Sequence, residues 1–441
     1  MNDDELSRLH AYLRIPSISA LPEHAADMEA AVAFMEGELR EAGAAAVEVL
    51  RTGGHPFLVA PVAATVDDPA AARTVLVYGH YDVQPVGDPD RWDSPAFEPT
   101  VRGEHLYARG ASDNKGNFFQ ILCAVRRLHA SGALPVNVLF LVDGEEESGG
   151  DSAIRWVEAM DPVADVAIIW DGGMVNRGLA SVESGVRGLV YRRVTVRCGT
   201  RDGHSGLFGG AAMNACHVLS DVLAAVRPRN GRVPEELGVG ATGVPDALLE
   251  EWETLVDGPG MLADAGLVPA DADAAANLAL RTMVGPSVDV NAIWAGEADA
   301  VKTVIPTVAH AMVSLRVAPG QDATAMADAF DALLRDACPA GAEVVIDDMG
   351  VAEPGVMDPE HPAMRAAMRA ITEATELPVI TMRTGGTLPI FSAMTGRGMP
   401  TILTGFTLPD DAIHSPNERM LIANLGTGVR AAMAMLGALA E

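Results

Sequence analysis

Through the first 170 residues, short apolar runs rich in β-branched side chains alternate with stretches of helical period. Residues 74–79 (Thr-Val-Leu-Val-Tyr-Gly), 136–142 and 166–170 are runs of the first kind, the pattern of strands buried on both faces. Residues 27–43, 117–130 and 152–160 carry the helical period, the first ending at Gly43. This alternation predicts a parallel sheet with helices on both faces. The pattern changes near residue 186. Residues 189–197 alternate apolar and basic side chains, 309–317 alternate again, 211–226 and 322–336 look helical, and 342–346 reads as a strand. That is an α+β segment with an antiparallel sheet. From about residue 351 the α/β texture returns, with a strand at 401–405 and a final helix. Residues 228–290, rich in Ala, Gly, Pro and acidic side chains, predict little. The expected organisation is an α/β domain in two parts, 1–186 and 351–441, interrupted by an inserted α+β domain at 187–350.

Composition narrows the function classes. Hydrophobic residues make up 49% of the 441 and charged residues 21%, which is globular composition and excludes a disordered chain. Sixty Asp and Glu against 31 Lys and Arg give a formal net charge of -29, which argues against nucleic acid and anionic membrane surfaces as partners. The N-terminus, Met-Asn-Asp-Asp-Glu, has no basic or apolar region of a signal peptide. No apolar run reaches the length of a membrane span. The nearest, 420–440, is interrupted by Gly426, Gly428 and Arg430 and reads as a packed terminal helix. Cys123, Cys198, Cys216 and Cys338 are scattered and form no CxxC, so neither a disulfide framework nor a zinc ribbon is expected, and a reducing cytoplasm fits.

Ligands of open parallel sheets bind beyond the carboxyl ends of the strands, so the residues that follow each predicted strand are informative. The first strand leads into Gly79-His80-Tyr81-Asp82, and the next into Asp143-Gly144 and three glutamates, Glu145, Glu146 and Glu147, then Ser148-Gly149. Asp171 follows 166–170, and the last strand leads through Phe406 to Asp410, Asp411 and His414. Residues 109–116 (Arg-Gly-Ala-Ser-Asp-Asn-Lys-Gly) enter a helix. A single Asp at such a turn is ordinarily a helix cap, and a Glu run is ordinarily a solvated face. Three like charges at the end of a buried strand, however, call for a compensating cation. Two His and several carboxylates on one rim make an N/O donor set for a borderline divalent metal. Residues 238–243 (Gly-Val-Gly-Ala-Thr-Gly) match a dinucleotide fingerprint as a string, but no strand precedes them and Pro245 follows. There is no HExxH and no GxSxG.

Taken together and in this order, the HxD at His80 and Asp82, the Ser-Asp-Asn-Lys-Gly at Asp113, the Glu-Glu-Ser-Gly at Glu147, Asp171 and His414 resemble the co-catalytic zinc amidohydrolase and peptidase superfamily of aminoacylases, glutamate carboxypeptidases and carnosinase-like dipeptidases. The resemblance runs from about residue 5 to the C-terminus and is nearest to the cytosolic non-specific dipeptidase branch. It implies a zinc-peptidase-like α/β catalytic domain with a mixed, mainly parallel sheet and an inserted α+β lid or dimerisation domain. It also implies two divalent ions per chain, Zn²⁺ or Mn²⁺. His80 and Asp171 would hold one, Glu147 and His414 the other, and Asp113 would bridge them. Asp82 would orient His80, and Glu146 would be the general base. The register within the three glutamates is set by Ser148-Gly149, which family members place after the ligand Glu. Asp113, Glu146, Glu147 and Asp171 carry four negative charges, which two divalent ions would offset.

The resemblance extends to substrate contacts. His204, in Arg-Asp-Gly-His-Ser-Gly, matches a residue that stabilises the oxyanion, often across a dimer interface. Thr303 and Arg316 match segments that hold the substrate's C-terminal carboxylate, a task that suits the planar fork of Arg, and Arg383, Gly386 and Thr387 match the loop that contacts the substrate near that carboxylate. Asn114 stands where the dipeptidases often have a second Asp or a hydrophobic residue, and family members have a cis peptide after the bridging Asp. The implied activity is metal-dependent hydrolysis of dipeptides or short peptides by attack of a metal-bridging hydroxide, in a cytoplasmic homodimer formed through the inserted domain. An N-acyl-amino-acid deacylase or desuccinylase would use the same metal centre and is the alternative.

Overall fold

In a computed structural model, which describes residues 1–296 and 302–440, the apolar runs become neighbouring strands. Asn137–Asp143, Thr74–His80, Val166–Trp170 and Thr401–Thr404 lie side by side in that order and pair in parallel. Their register sets His80 opposite Asp143 and Thr404 opposite Trp170, so the chemistry-bearing turns leave the sheet from one end. Val166–Trp170 and Thr401–Thr404 are buried at every position, which is why they read as continuous apolar runs and not as alternation. Among the described residues the full sheet has nine strands and is mixed. Phe57–Val62 and Glu48–Leu50 continue it antiparallel beyond Asn137–Asp143. On the other side Leu179–Glu183 runs antiparallel to Thr401–Thr404 and pairs in parallel with Val379–Met382. These outer strands are short or carry Pro61, and the hydrophobic pattern does not announce them.

The helix Lys115–Ala130 packs against Ile422–Ala438, which also packs against Pro362–Thr375. Gly428 makes the first of these contacts close: a Cβ there would run into the Gln120 side chain, whose Oε1 accepts from Trp170 Nε1 at 3.2 Å. The apolar tail is thus a packed helix. Among the described residues no helix is long and apolar enough to cross a membrane.

The chain divides into two compact units, one of Met1–Ser184, Met357–Met382 and Ala393–Glu441, the other of Gly185–Val356 and Arg383–Ser392. The second contains a four-stranded antiparallel sheet in the order Ser287–Ala295, Val308–Val317, Gly188–Arg197, Glu343–Ala352. Its core joins Val190, Val194, Val196, Ala311, Val313 and Leu315 of the sheet to residues of the helices Ala215–Val226 and Ala323–Asp336, among them Leu219, Val222 and Phe330. Arg192 breaks the apolar–basic alternation. It is 5% exposed, and its guanidinium reaches Asp331 at 3.0 Å and Asp348 at 2.6 Å.

The expected boundaries need correcting in two places. The strand Glu343–Ala352 runs past residue 350. Arg383–Ser392, read as part of the 351–441 segment, belongs to the second unit. It is held there by the bonds Thr384 N to Gly185 O at 2.9 Å and Arg187 N to Gly386 O at 3.0 Å.

Candidate metal centre and active site

His80 ends its strand fully buried. Its Nδ1 lies 3.1 Å from the Asp82 carbonyl and 3.3 Å from Asp82 Oδ1. With the Nδ1 proton engaged there, the Nε2 lone pair is left free as a ligand. Nε2 faces Asp113 Oδ1 at 3.2 Å, Asp171 Oδ2 at 3.8 Å and Glu146 Oε2 at 4.0 Å. The other oxygen of Asp113 lies 2.9 Å from His414 Nε2, which is 3.3 Å from Glu147 Oε2. Asp113 therefore has one carboxylate oxygen toward each imidazole. Asp82 Oδ2 accepts from Ser19 Oγ at 2.6 Å and from Glu147 N at 3.0 Å, joining His80 to the glutamate turn.

Geometry sorts the three glutamates. Glu145 turns away and accepts from the backbone N–H groups of His55 at 2.9 Å and Ser152 at 3.3 Å. Glu147 faces His414, and Gln84 Nε2 donates to its Oε2 at 2.8 Å. Glu147 Oε1 is buried and has no hydrogen-bond partner among the described residues. Burial lifts the Glu146 carboxyl to about 8; His80 opposes this, and Glu147 and Asp113 add to it.

The other ionisable groups respond to the same crowding. Burial pushes Asp171 well above the usual carboxylate range, opposed by His80 and reinforced by Asp113 and Glu146. Hydrogen bonds to Asp113 and Glu147 raise His414 to about 10. His80 is raised despite its burial, through Asp113 and Asp171. Asp113 is held low by its bonds to both imidazoles, against the effect of burial. Without a cation, protons must neutralise the cluster. The donor atoms of His80, Asp113 and Glu147 all lie within 4.8 Å of one another. Imidazole nitrogens, carboxylate oxygens and one buried orphan oxygen fit divalent ions.

The Asp113–Asn114 peptide is cis, as the resemblance leads one to expect. The contacts that Ser19, Gln84 and Asn114 make in the site were not singled out from the sequence. The Asn114 amide donates to Asp171 Oδ1 at 2.5 Å and to Trp170 O at 2.8 Å, and its Oδ1 accepts from His80 N at 3.3 Å. Gln84, Ser19 and Asn114 thus fix the donor groups, yet an amide or hydroxyl side chain in a turn carries no sequence signal of that task. The loop of His414 holds three non-glycine residues at positive φ, Ala412 (55°), His414 (60°) and Asn417 (64°), a sparsely populated region that recurs at functional sites.

The other expected site residues lie in the second unit. His204 pairs with Val304 across a two-stranded ladder, and Thr303 O accepts from Ser205 N at 3.1 Å. His204 Nδ1 accepts from Gly206 N at 3.0 Å, which leaves Nε2 as the protonated nitrogen of the neutral ring. Arg316 Nη1 donates to Thr387 Oγ1 at 2.7 Å, and Thr387 donates to Gly188 O at 3.1 Å. Arg383 is buried and donates to Thr242 O at 3.0 Å. Gly386 N lies 3.3 Å from Thr384 Oγ1.

The family model of peptidase family M20/M25/M40 matches residues 76–438, a stretch that includes His80, Asp113, Glu147, Asp171 and His414. The chain belongs to this family. It is 32% identical over 398 residues to the cysteinylglycine-S-conjugate dipeptidase of Corynebacterium striatum, covering 88% of this chain and 83% of that one. It is 25% identical over 458 residues to the Cys-Gly metallodipeptidase DUG1 of Saccharomyces cerevisiae, covering 98% and 94%. The M20 family metallo-carboxypeptidase Sso-CP2 from Sulfolobus solfataricus shares the fold, with a TM-score of 0.86 at 24% identity over 99% of both chains.

Proposed function

We propose that the protein is a two-metal dipeptidase that hydrolyses dipeptides or short peptides with a free C-terminal carboxylate. The observation that carries this reading is Asp113 set between His80 and His414 with the Glu146 carboxyl alongside. His80, Asp113 and Asp171 would hold one divalent ion, and Asp113, Glu147 and His414 the other; zinc and manganese both suit such donors. When bound, the ions supply a Lewis acid for the scissile carbonyl and lower the pKa of water towards about 7. Glu146 takes the proton of the attacking water and returns it to the leaving amine. Asp82 holds the His80 tautomer that leaves Nε2 free. The Nε2 proton of His204 is the donor for the oxyanion. Arg316, with Thr387, Thr303, Arg383 and Gly386, anchors the substrate carboxylate. The names of the relatives, dipeptidases for cysteinylglycine conjugates and Cys-Gly, support short substrates.

A homodimer through the second unit is part of the proposal, with His204 acting across the interface. Its support is apolar surface beside His204: Leu207 is 75% exposed and Phe208 52%. A cytoplasmic setting is in keeping with four unbridged cysteines.

The test is dipeptide hydrolysis by EDTA-stripped protein before and after Zn²⁺ or Mn²⁺ is restored, with metal per chain measured in parallel. The reading expects cleavage to return as two ions bind. Two bound ions with release only from N-acyl amino acids would replace it by a deacylase, and no stoichiometric metal would overturn it.

A further inference from the structure

Glu418 lies four residues beyond His414 and is fully buried. Its carboxylate is surrounded by donors from one loop. Oε2 accepts from Arg109 Nη1 at 2.7 Å and from Gly110 N at 2.9 Å. Oε1 accepts from Ser112 N at 2.9 Å and from Asp113 N at 3.0 Å. Three backbone N–H groups converging on one anion form a nest, and Arg109, itself 1% exposed, supplies the compensating charge. Arg109 is held in turn by Pro85 O at 3.1 Å. The Ser112 hydroxyl, 2.6 Å from Arg419 O and 3.0 Å from Asp411 Oδ2, ties the same two loops.

One of these loops carries Asp113 and the other carries His414, whose side chains meet at 2.9 Å. We propose that Glu418 is the positioning residue that locks these two loops together, so that Asp113 and His414 are preset at metal-binding distance. The inference rests on the two-metal reading given above. Glu418 would touch neither metal nor substrate; it acts through the Asp113 backbone. A carboxylate is required, because each oxygen faces two donors. A Gln side chain would turn its NH₂ toward one of the donor pairs whichever way it were flipped, leaving buried N–H groups unpaired.

The experiment is a chelator competition for Zn²⁺ on apo wild type and Glu418→Gln, with far-UV circular dichroism and apo melting temperature recorded on the same samples. Residues that orient metal ligands typically contribute about 10–100-fold in affinity. The dissociation constant of Glu418→Gln is expected to rise by about that factor, with kcat largely recovered at saturating metal. If the variant folds and melts lower yet binds Zn²⁺ like wild type, Glu418 is merely structural and the inference falls. If wild type itself binds no Zn²⁺, the two-metal reading falls and takes this inference with it. If Glu418→Gln does not fold, Arg109→Lys is read in the same assay. It keeps the charge but loses the planar fork, and unchanged affinity there overturns the inference.

Discussion

Glu146 is half-buried beside Glu147, Asp113 and Asp82, and each like charge makes it a better holder of a proton. If it is the general base, Glu146→Gln should lower kcat by about 10²–10⁴-fold while metal per chain stays at the wild-type value; near-full turnover at normal metal content would reassign the base. Glu183 offers a stability test of the same physics away from the metal cluster. Burial raises it from 4.5 to about 7, with the Gly173 N–H opposing. A folded pKa above the ordinary value means that the fold favours the protonated form. Its stabilising contribution is present below about 4.5 and lost as pH rises through about 7. Glu183→Gln should therefore melt higher than wild type at pH 8 and no higher at pH 4, and an equal shift at both would refute the assignment. At this scale the candidate donors could be named from the sequence, because His and carboxylates at strand ends stand out against apolar runs. The polar residues that aim them, such as Gln84 and Asn114, were not, because only the folded geometry shows which lone pairs they meet.

Among the elements, the four parallel strands and the helices Lys115–Ala130 and Ile422–Ala438 fall within a few residues of where periodicity places them. Burial on both faces produces a strong pattern. Glu48–Leu50 and Ser287–Ala295 escaped because most of their positions are partly or fully exposed. Arg383–Ser392 escaped for another reason: its place is set by hydrogen bonds to the backbone of residues 185–188, which no hydrophobic pattern records. The contact between the last helix and Lys115–Ala130 can be tested directly. Gly428→Ala would drive a methyl into Gln120 and should destabilise by about 1–3 kcal/mol, read by urea denaturation. A neutral effect would mean that Gln120 can move aside and that the close approach is not required.

For the whole molecule, the net charge of -29 is a source of self-repulsion, and the metal centre adds several carboxylates at one place. Divalent ions bound only by the folded chain should raise its stability by about 2.7 kcal/mol per site at 100 times the dissociation constant. EDTA should accordingly lower the melting temperature and Zn²⁺ or Mn²⁺ restore it. Identical melts with and without chelator would contradict a resident metal centre. The fold class and the interruption by a second unit were legible, because the switch from continuous to alternating apolar patterns is a global feature. The number of times the chain passes between the two units was not.

The chain passes between its units four times, after Ser184, Val356, Met382 and Ser392, and this sets an order of events during synthesis. Thr401–Thr404 is the last strand of the larger sheet to emerge, yet it belongs between Val166–Trp170 and Leu179–Glu183. Until some 400 residues have been made, both of those strands present unpaired edges, the kind that invite pairing with another chain. His414 follows later still. The second unit's four-stranded sheet is complete by Ala352 and can fold first, while the larger sheet waits for its final strand. A truncated or stalled chain is thus exposed to aggregation through its central sheet, and the ligand cluster closes only once His414 has been made.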